Sequence, residues 1–327
     1  MSGVKVGFIG AGGNASGHMK RVKELCGDTE IVAICDIDAE RAKKATEEFG
    51  GKPYTDQHEL LDKEGMDALY VSVPPFAHTD AEIIAAKKGI HLFVEKPVAL
   101  TMEKGLEVNK AIQDAGVISC VGYQLRYAES VNRAKNWLEG KTVAMVNTHR
   151  WGGVPGTAWW CVMSKSGGQI VEQTTHQVDL VRYLCGEIEE IHANFALRHS
   201  YENEGFDIPD VMATTFKFAS GAVGVMTSSC AMINGGGKGE LEIMADHCVL
   251  KWGTTSVSAV PGEHPDLAGE LPPLPPIDPV FIDAVRKGDG SAIRSPYLDG
   301  LKSLDVTLAM TKSAESGKVE RTHFADN

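Results

Sequence analysis

Between residues 4 and about 121, short β-branched runs alternate with longer segments whose apolar positions recur at helical spacing. This is the pattern of parallel βαβ units. Strands are predicted over 5–9, 31–35, 68–73, 91–94 and 117–121, with helices over 14–26, 39–49, 78–88 and 102–115 between them. The helical segments are rich in Ala, Lys and Glu, good helix formers that leave one polar face for water. Asp36 to Asp38 ahead of the second helix and Thr101-Met102-Glu103-Lys104 at the fourth supply capping signals.

After Gly122 the texture changes. Strand-like runs lengthen over 142–151, 189–197, 211–218, 222–229, 239–245 and 247–252, and one strong helix is predicted over about 168–184. Such a set predicts a large, mostly antiparallel open sheet, with helices on one face and the other face free for a subunit contact. The stretch Pro272-Pro273-Leu274-Pro275-Pro276 then links to helices over 278–287 and 297–316. The cluster Gly235-Gly236-Gly237-Lys238-Gly239 reads as a hairpin loop, because no strand-to-helix context follows it. The predicted fold is therefore α/β: a doubly wound parallel sheet in a dinucleotide-binding domain over 1–121, then an α+β domain over 122–327 for substrate binding and oligomerisation.

The 327 residues suit two domains, and 43% apolar content is ordinary for a globular chain. A formal charge of −12 without a basic block argues against nucleic acid or an anionic membrane as partner and favours a small molecule. No run approaches the roughly 20 apolar residues of a membrane span, and Met1 to Gly7 enters a strand-like run without a signal-peptide pattern. The seven cysteines are odd in number and scattered. They read as buried thiols of a cytoplasmic protein, with neither disulfide nor zinc site expected.

Chemistry enters first at Gly10-Ala11-Gly12-Gly13-Asn14-Ala15. In a Gly-x-Gly-x-x-Gly/Ala motif the first glycine permits a tight turn, the second lets backbone amides approach a pyrophosphate, and the third position allows close helix packing. The motif follows a predicted strand, and the helix beginning near Asn14 offers its unpaired amides to phosphates. Asp36 stands at the end of the next strand, where a carboxylate accepts from both ribose hydroxyls and repels a 2′-phosphate. NAD is thereby favoured over NADP. Asp36 could also cap the following helix, and Arg41, one turn on, could still receive a 2′-phosphate.

Two further runs carry catalytic groups. Glu95-Lys96-Pro97 ends the apolar run 89–94, which sets a lysine at a strand tip where a nicotinamide would lie. On a helix through 168–184, Glu172, His176 and Asp179 fall at i, i+4 and i+7 and share one stripe. His176 with Glu172 resembles a fragment of a metal site, but the His-Glu-x-x-His spacing and a clear third ligand are both missing. Removal of hydride from a secondary alcohol requires its hydroxyl proton to leave as well. Histidine suits that base role, and a lysine at the same oxygen would stabilise developing alkoxide. Lys96 and His176 fit these roles, with Glu172 orienting the imidazole or binding a substrate hydroxyl.

Taken together, Gly10-x-Gly12-x-x-Ala15 with His18, Pro74-Pro75-x-x-His78, Glu95-Lys96-Pro97, and Gly167-Gly168 through His176-x-x-Asp179 resemble the Gfo/Idh/MocA oxidoreductases, named for glucose-fructose oxidoreductase and inositol dehydrogenase. The resemblance spans essentially the whole chain. It implies an N-terminal Rossmann domain and a C-terminal domain whose open sheet makes homodimers or homotetramers. It also implies a cofactor site of Gly10, Gly12, Gly13, Asn14, Asp36, Pro74, His78, Glu95, Lys96 and Gln124, with Lys96 and His176 as the catalytic pair and a cis peptide before Pro97. Glu172 departs from the aspartate usual in inositol dehydrogenase-like members, so the substrate does not carry over. Tyr123, Gln124 and Arg126 follow the fifth strand, where relatives contact the nicotinamide end and substrate.

Arg126, Arg150, Trp160, Glu172, His176, Asp179 and Lys96 form the expected substrate set. Arg150, Trp151, Trp159 and Trp160 precede the catalytic helix, and aromatic faces stack on the C–H surfaces of sugars, which points to a carbohydrate or polyol. The leading expectation is an NAD-dependent dehydrogenase of a sugar, sugar acid or cyclitol. Two alternatives stand beside it: a glycoside hydrolase working by transient oxidation at C3 and elimination, and a non-enzymatic NAD(P)-binding sensor.

Overall fold

The computed structural model describes residues 3–200, 202, 204–232 and 237–324. It resolves into two compact units: Met1–Gly122 with Pro276–Leu301, and Tyr123–Pro275 with Lys302–Asn327. The sequence division at 121/122 did not anticipate the return of 276–301 to the first unit. Packing explains it. The helix Asp278–Lys287, α10 in chain order, buries Phe281, and that ring sits edge-on to Tyr70 and Phe93, with centroids 5.5 and 5.6 Å away.

In the first unit β1 (Val4–Ile9), β2 (Thr29–Cys35), β3 (Lys52–Tyr54), β4 (Ala68–Val71), β5 (His91–Val94) and β6 (Ser119–Val121) form one sheet in the order β3-β2-β1-β4-β5-β6. Every pairing in it is parallel. The order reverses between β1 and β4, the switch point at which doubly wound sheets bind ligands. Helices α1 (Gly13–Leu25), α2 (Ala39–Phe49), α3 (Gln57–Lys63), α4 (Ala81–Lys87) and α5 (Met102–Ala115) make the crossovers.

The caps are local. Asp38, not Asp36, caps α2 by accepting from the Glu40 and Arg41 amides, and Thr101 caps α5 through the Lys104 amide. β3 and α3 were not anticipated. Three residues that include Pro53 give no periodic signal, and proline is tolerated there because β3 lies at the sheet edge. The helix expected over 78–88 begins only at Ala81: Pro74 and Pro75 lead into a single 3₁₀ turn, Pro75–Ala77, which leaves His78 extended ahead of the helix.

The second unit opens with α6 (Glu129–Leu138), an amphipathic helix the sequence reading passed over. Strand β7 (Val143–Trp151), short helix α7 (Met163–Ser166), and helices α8 (Gly168–Glu172) and α9 (Thr175–Cys185) follow. Then come β8 (Ile188–Ala196), β9 (Val211–Phe218), β10 (Val223–Ser229), β11 (Lys238–Ala245), β12 (Cys248–Gly253), β13 (Ser256–Val260) and β14 (Glu320–Arg321). Their sheet runs β13-β12-β11-β7-β10-β9-β8-β14 and is antiparallel except for the pair β7 and β10. Burial alternates along its strands, as in β9, so one face is covered and the other open. Met145, Trp151, Val223 and Met244 are exposed on the open face. Helix α11 (Tyr297–Ser316) starts in the first unit and continues in the second.

One expectation fails here. The single helix over 168–184 is two helices, because the chain leaves α8 at Gln173 and restarts at Thr175. Thr174, fully buried, bonds the Ser228 hydroxyl of β10 at 2.5 Å, and Gln173 accepts from the Gln169 side chain at 2.7 Å. β-branched threonines already disfavour helix, and these side-chain bonds complete the break. Glu172 therefore ends one helix while His176 and Asp179 begin the next, and the continuous stripe does not exist.

All seven cysteines are free thiols, with Cys161 and Cys248 partly exposed and the others buried. No helix among the described residues is long and apolar enough to cross a membrane. Gly235 and Gly236 of the expected hairpin loop lie outside the described residues.

Candidate active site

In the first unit the glycine-rich turn is built by close approach. Gly10 has φ +99°, and a Cβ on it would lie 2.2 Å from the Ser72 carbonyl oxygen, so only glycine fits. Gly12 caps α1 without a side chain, and a Cβ at Gly12 or Gly13 would meet no atom within 4 Å. Open space over bare amides at the start of a 13-residue helix is a cradle of the kind that takes a pyrophosphate. Asn14 lies in the first turn of that helix, and Ala15 is fully buried.

Asp36 closes β2. Its Oδ2 accepts the Ala11 amide at 2.9 Å and its Oδ1 the Asp38 amide at 3.0 Å. Arg41 Nη1 lies 3.3 Å from Asp36 and Nη2 lies 3.2 Å from Asp38. The guanidinium that could have welcomed a 2′-phosphate is thus held by two carboxylates. Ile37, between them, is 95% exposed. Sequence reasoning overlooked it, although an aliphatic residue in an otherwise acidic turn is a readable signal.

Pro74 precedes the 3₁₀ turn, and His78 Nδ1 lies 2.5 Å from Glu82 Oε1 with both side chains buried. Beyond β5 the Lys96–Pro97 peptide is cis, as expected. Lys96 is partly buried. Glu95, expected to touch the cofactor, is 6% exposed and turns its carboxylate inward: Oε1 lies 2.9 Å from His18 Nε2, and Oε2 accepts the Lys96 amide at 3.2 Å.

In the second unit Gln124 is exposed in a 3₁₀ turn over Gln124–Tyr127. Tyr123 bonds Thr175 Oγ1 at 2.8 Å and stands edge-on to the partly exposed His176 ring, centroids 5.9 Å apart. Glu172 is buried at the end of α8.

Arg126 and Asp179, both expected at substrate, are fully buried and face each other. Arg126 Nε and Nη2 donate to Asp179 Oδ2 and Oδ1 at 2.7 Å each, and Ser303 donates to Oδ1 at 2.8 Å. Burial pushes the Asp179 carboxyl up against the opposing pull of Arg126. Arg126 also stacks over Tyr183 at 4.7 Å.

Arg150 sits on the covered face of β7 beside Gln177 of α9: a Cβ on Gly239 would lie 3.7 Å from its Cδ and 3.5 Å from Gln177 Nε2. Its Nη1 donates to the Trp151 carbonyl at 2.9 Å, and burial lowers its pKa. Trp151, one residue on, points to the opposite face and donates to Thr227 Oγ1 at 3.1 Å. Trp159 and Trp160 stack at 5.9 Å and 10°. The tryptophans that look clustered in sequence therefore separate into a stacked pair and an open-face residue.

Open amides at the start of α1 and a carboxylate at the end of β2 fit the class of NAD-dependent oxidoreductases. Residues 4–123 match the model of the oxidoreductase family with an NAD-binding Rossmann fold, and residues 134–250 match that of the GFO/IDH/MocA C-terminal domain. The chain belongs to the Gfo/Idh/MocA oxidoreductase family. It is 28% identical over 235 residues to myo-inositol 2-dehydrogenase of Thermotoga maritima, covering 71% of this chain and 70% of that one. It is also 28% identical over 232 residues to scyllo-inositol 2-dehydrogenase (NAD(+)) of Bacillus subtilis, covering 69% and 67%. Among solved structures the WlbA dehydrogenase of Chromobacterium violaceum, in complex with NADH and UDP-GlcNAcA, superposes with a TM-score of 0.87 at 23% identity, over 99% of this chain and 97% of that one.

Proposed function

We propose that this protein is a dehydrogenase that oxidises a secondary hydroxyl of a sugar, sugar acid or cyclitol, or runs the reverse reduction. NAD, when bound, accepts or returns the hydride at C4 of its nicotinamide. The observation that carries the reading is Lys96 at the tip of β5, in the same unit as the Gly10–Gly13 cradle and Asp36.

The remaining chemistry is a proton and a developing negative charge on one oxygen. His176, on the first turn of α9 and partly exposed, is assigned to the proton, since an imidazole titrates near neutrality. Lys96 is assigned to the charge, as a cationic donor to alkoxide. Glu172 orients the imidazole or accepts from a neighbouring substrate hydroxyl.

Gly10, Gly12, Gly13, Asn14 and Asp36 hold the dinucleotide, Ile37 offers an apolar lip beside its ribose, and Pro74 and Gln124 complete the cofactor contacts, whereas the His78 side chain, expected there, is buried against Glu82. Trp160 offers a stacking face. Among the described residues Arg150 bonds a backbone carbonyl and no carboxylate, which supports an acidic group on the substrate. Arg126 and Asp179, spent on one another, serve the site by holding its frame.

The open sheet face with Met145, Trp151, Val223 and Met244 supports a homodimer or homotetramer, and the free thiols suit a cytoplasmic setting. The test is nicotinamide absorbance on mixing protein and excess NAD with monosaccharides, uronic and aldonic acids, and inositols. Steady NADH production from one class supports the reading and names it. Absence of turnover with every free compound, despite NAD binding, overturns it.

A further inference from the structure

His18, on the inner face of α1, is 1% exposed and has a carboxylate at each ring nitrogen. Nδ1 lies 2.6 Å from Asp278 Oδ1, and Nε2 lies 2.9 Å from Glu95 Oε1. Arg21, one turn along α1, donates from Nε to the second oxygen of Asp278 at 2.6 Å. Its Nη2 comes within 3.0 Å of His18 Nδ1, but the shorter contact of that nitrogen is with Asp278. A neutral imidazole has one N–H and cannot donate to two carboxylates. With both nitrogens protonated the set is charge-balanced: the partly exposed Arg21 and the buried His18 positive, the buried Asp278 and Glu95 negative. Such a set tolerates burial only as a whole, because removing one member leaves an uncompensated charge.

The chain of contacts ends at the lysine. Glu95 Oε2 accepts the Lys96 amide, and the far side of the carboxylate is walled by Gly122, where an added Cβ would lie 2.4 Å from Oε1. The His18 ring is gripped by Phe93 and Tyr70, with centroids 4.8 and 5.6 Å away. The anchor, Asp278, is fully buried in the first turn of α10, the segment that returns from far along the chain.

We infer that Asp278 and His18 are positioning residues which, through the Glu95 carboxylate, hold the Lys96 backbone in its working orientation. The returning segment is then part of the catalytic apparatus of the first unit as well as its packing. The inference rests on the assignment of Lys96 to the substrate oxygen.

The experiment uses the full-length protein and the variants His18→Gln, Asp278→Asn and Gly122→Ala, the last of which displaces Glu95 without removing a charge. In the unliganded protein, amide hydrogen exchange at Lys96 should quicken in each folded variant. With a substrate found as above, turnover should fall by about 10- to 100-fold, as expected for a misplaced catalytic group, while NAD affinity changes by less than about twofold. In a Lys96→Ala background the same substitutions should lower turnover by less than about twofold more, since residues acting through one group are non-additive. Losses that multiply equally in both backgrounds, or a parallel fall in NAD affinity, would show a merely structural cluster and overturn the inference. If no substrate is found the dehydrogenase reading fails by itself, and Lys96 exchange still decides: unchanged protection in Asp278→Asn and Gly122→Ala overturns the positioning role.

Discussion

Asp36 Oδ2 accepts the backbone amide of Ala11 at 2.9 Å, so the residue assigned to the cofactor's ribose also ties down the glycine-rich turn assigned to its phosphates. The two jobs share one carboxylate. A substitution there is expected to act on affinity and selectivity together.

Asp36→Ala should raise the KM for NAD and narrow the preference for NAD over NADP. The released Arg41 would become available to a 2′-phosphate. Losing the buried acceptor of the Ala11 amide should also lower stability by about 1–3 kcal/mol. The ratio of kcat/KM values for the two cofactors is the check, and an unchanged ratio would remove Asp36 from the selectivity account.

Lys96→Ala should lower turnover by about 10² or more, the loss typical of one donor to a developing oxyanion. NAD binding should hold. Near-normal kcat with the substrate from the panel would refute the assignment.

Arg126→Gln should act on stability first. Arg126 and Asp179 are 2% and 1% exposed and joined by two 2.7 Å bonds, and breaking a buried pair from one side costs about 3–5 kcal/mol. Chemical denaturation of the variant should show that loss. A variant with wild-type stability and a raised substrate KM would return Arg126 to the substrate.

The His18 cluster predicts a pH dependence of stability. Burial works against its charge, but the hydrogen bonds it donates to Asp278 and Glu95 raise the imidazole from 6.5 to about 9. A raised folded-state pKa gives stabilisation that is complete below 6.5 and lost as pH climbs through about 9. Asp278 behaves oppositely: burial pushes it up, but His18 and Arg21 hold it below 3.8, so its contribution is present above that value and lost as pH falls. Arg21 and the Tyr70 phenol are the other polar groups around the ring, and burial holds that phenol well above its ordinary value. Melting temperature should decline between about pH 7 and 9.5, and His18→Gln should flatten that decline.

Short-range order was legible along the chain. The Gly10–Ala15 turn, Asp36 at the end of β2, Glu95-Lys96-Pro97 beyond β5, and α2 and α5 with their predicted bounds all follow from signals contained within a few residues of one another: a glycine that must adopt positive φ, a capping oxygen three residues from its amide, an apolar period. The sequence therefore determined a doubly wound NAD-binding unit and offered the side chains to which its chemistry is assigned. Interactions distant in sequence decided the rest. Thr174 and Ser228, 54 residues apart, break the helix on which Glu172 and His176 had seemed to share a stripe. Asp278 reaches His18 across 260 residues and recruits Glu95 inward. Arg126 and Asp179, read as substrate ligands from their types and neighbourhood, neutralise one another across 53 residues. A charged side chain declares its chemistry in the sequence, but whether that charge meets substrate or a buried counter-charge depends on which distant segment folds against it.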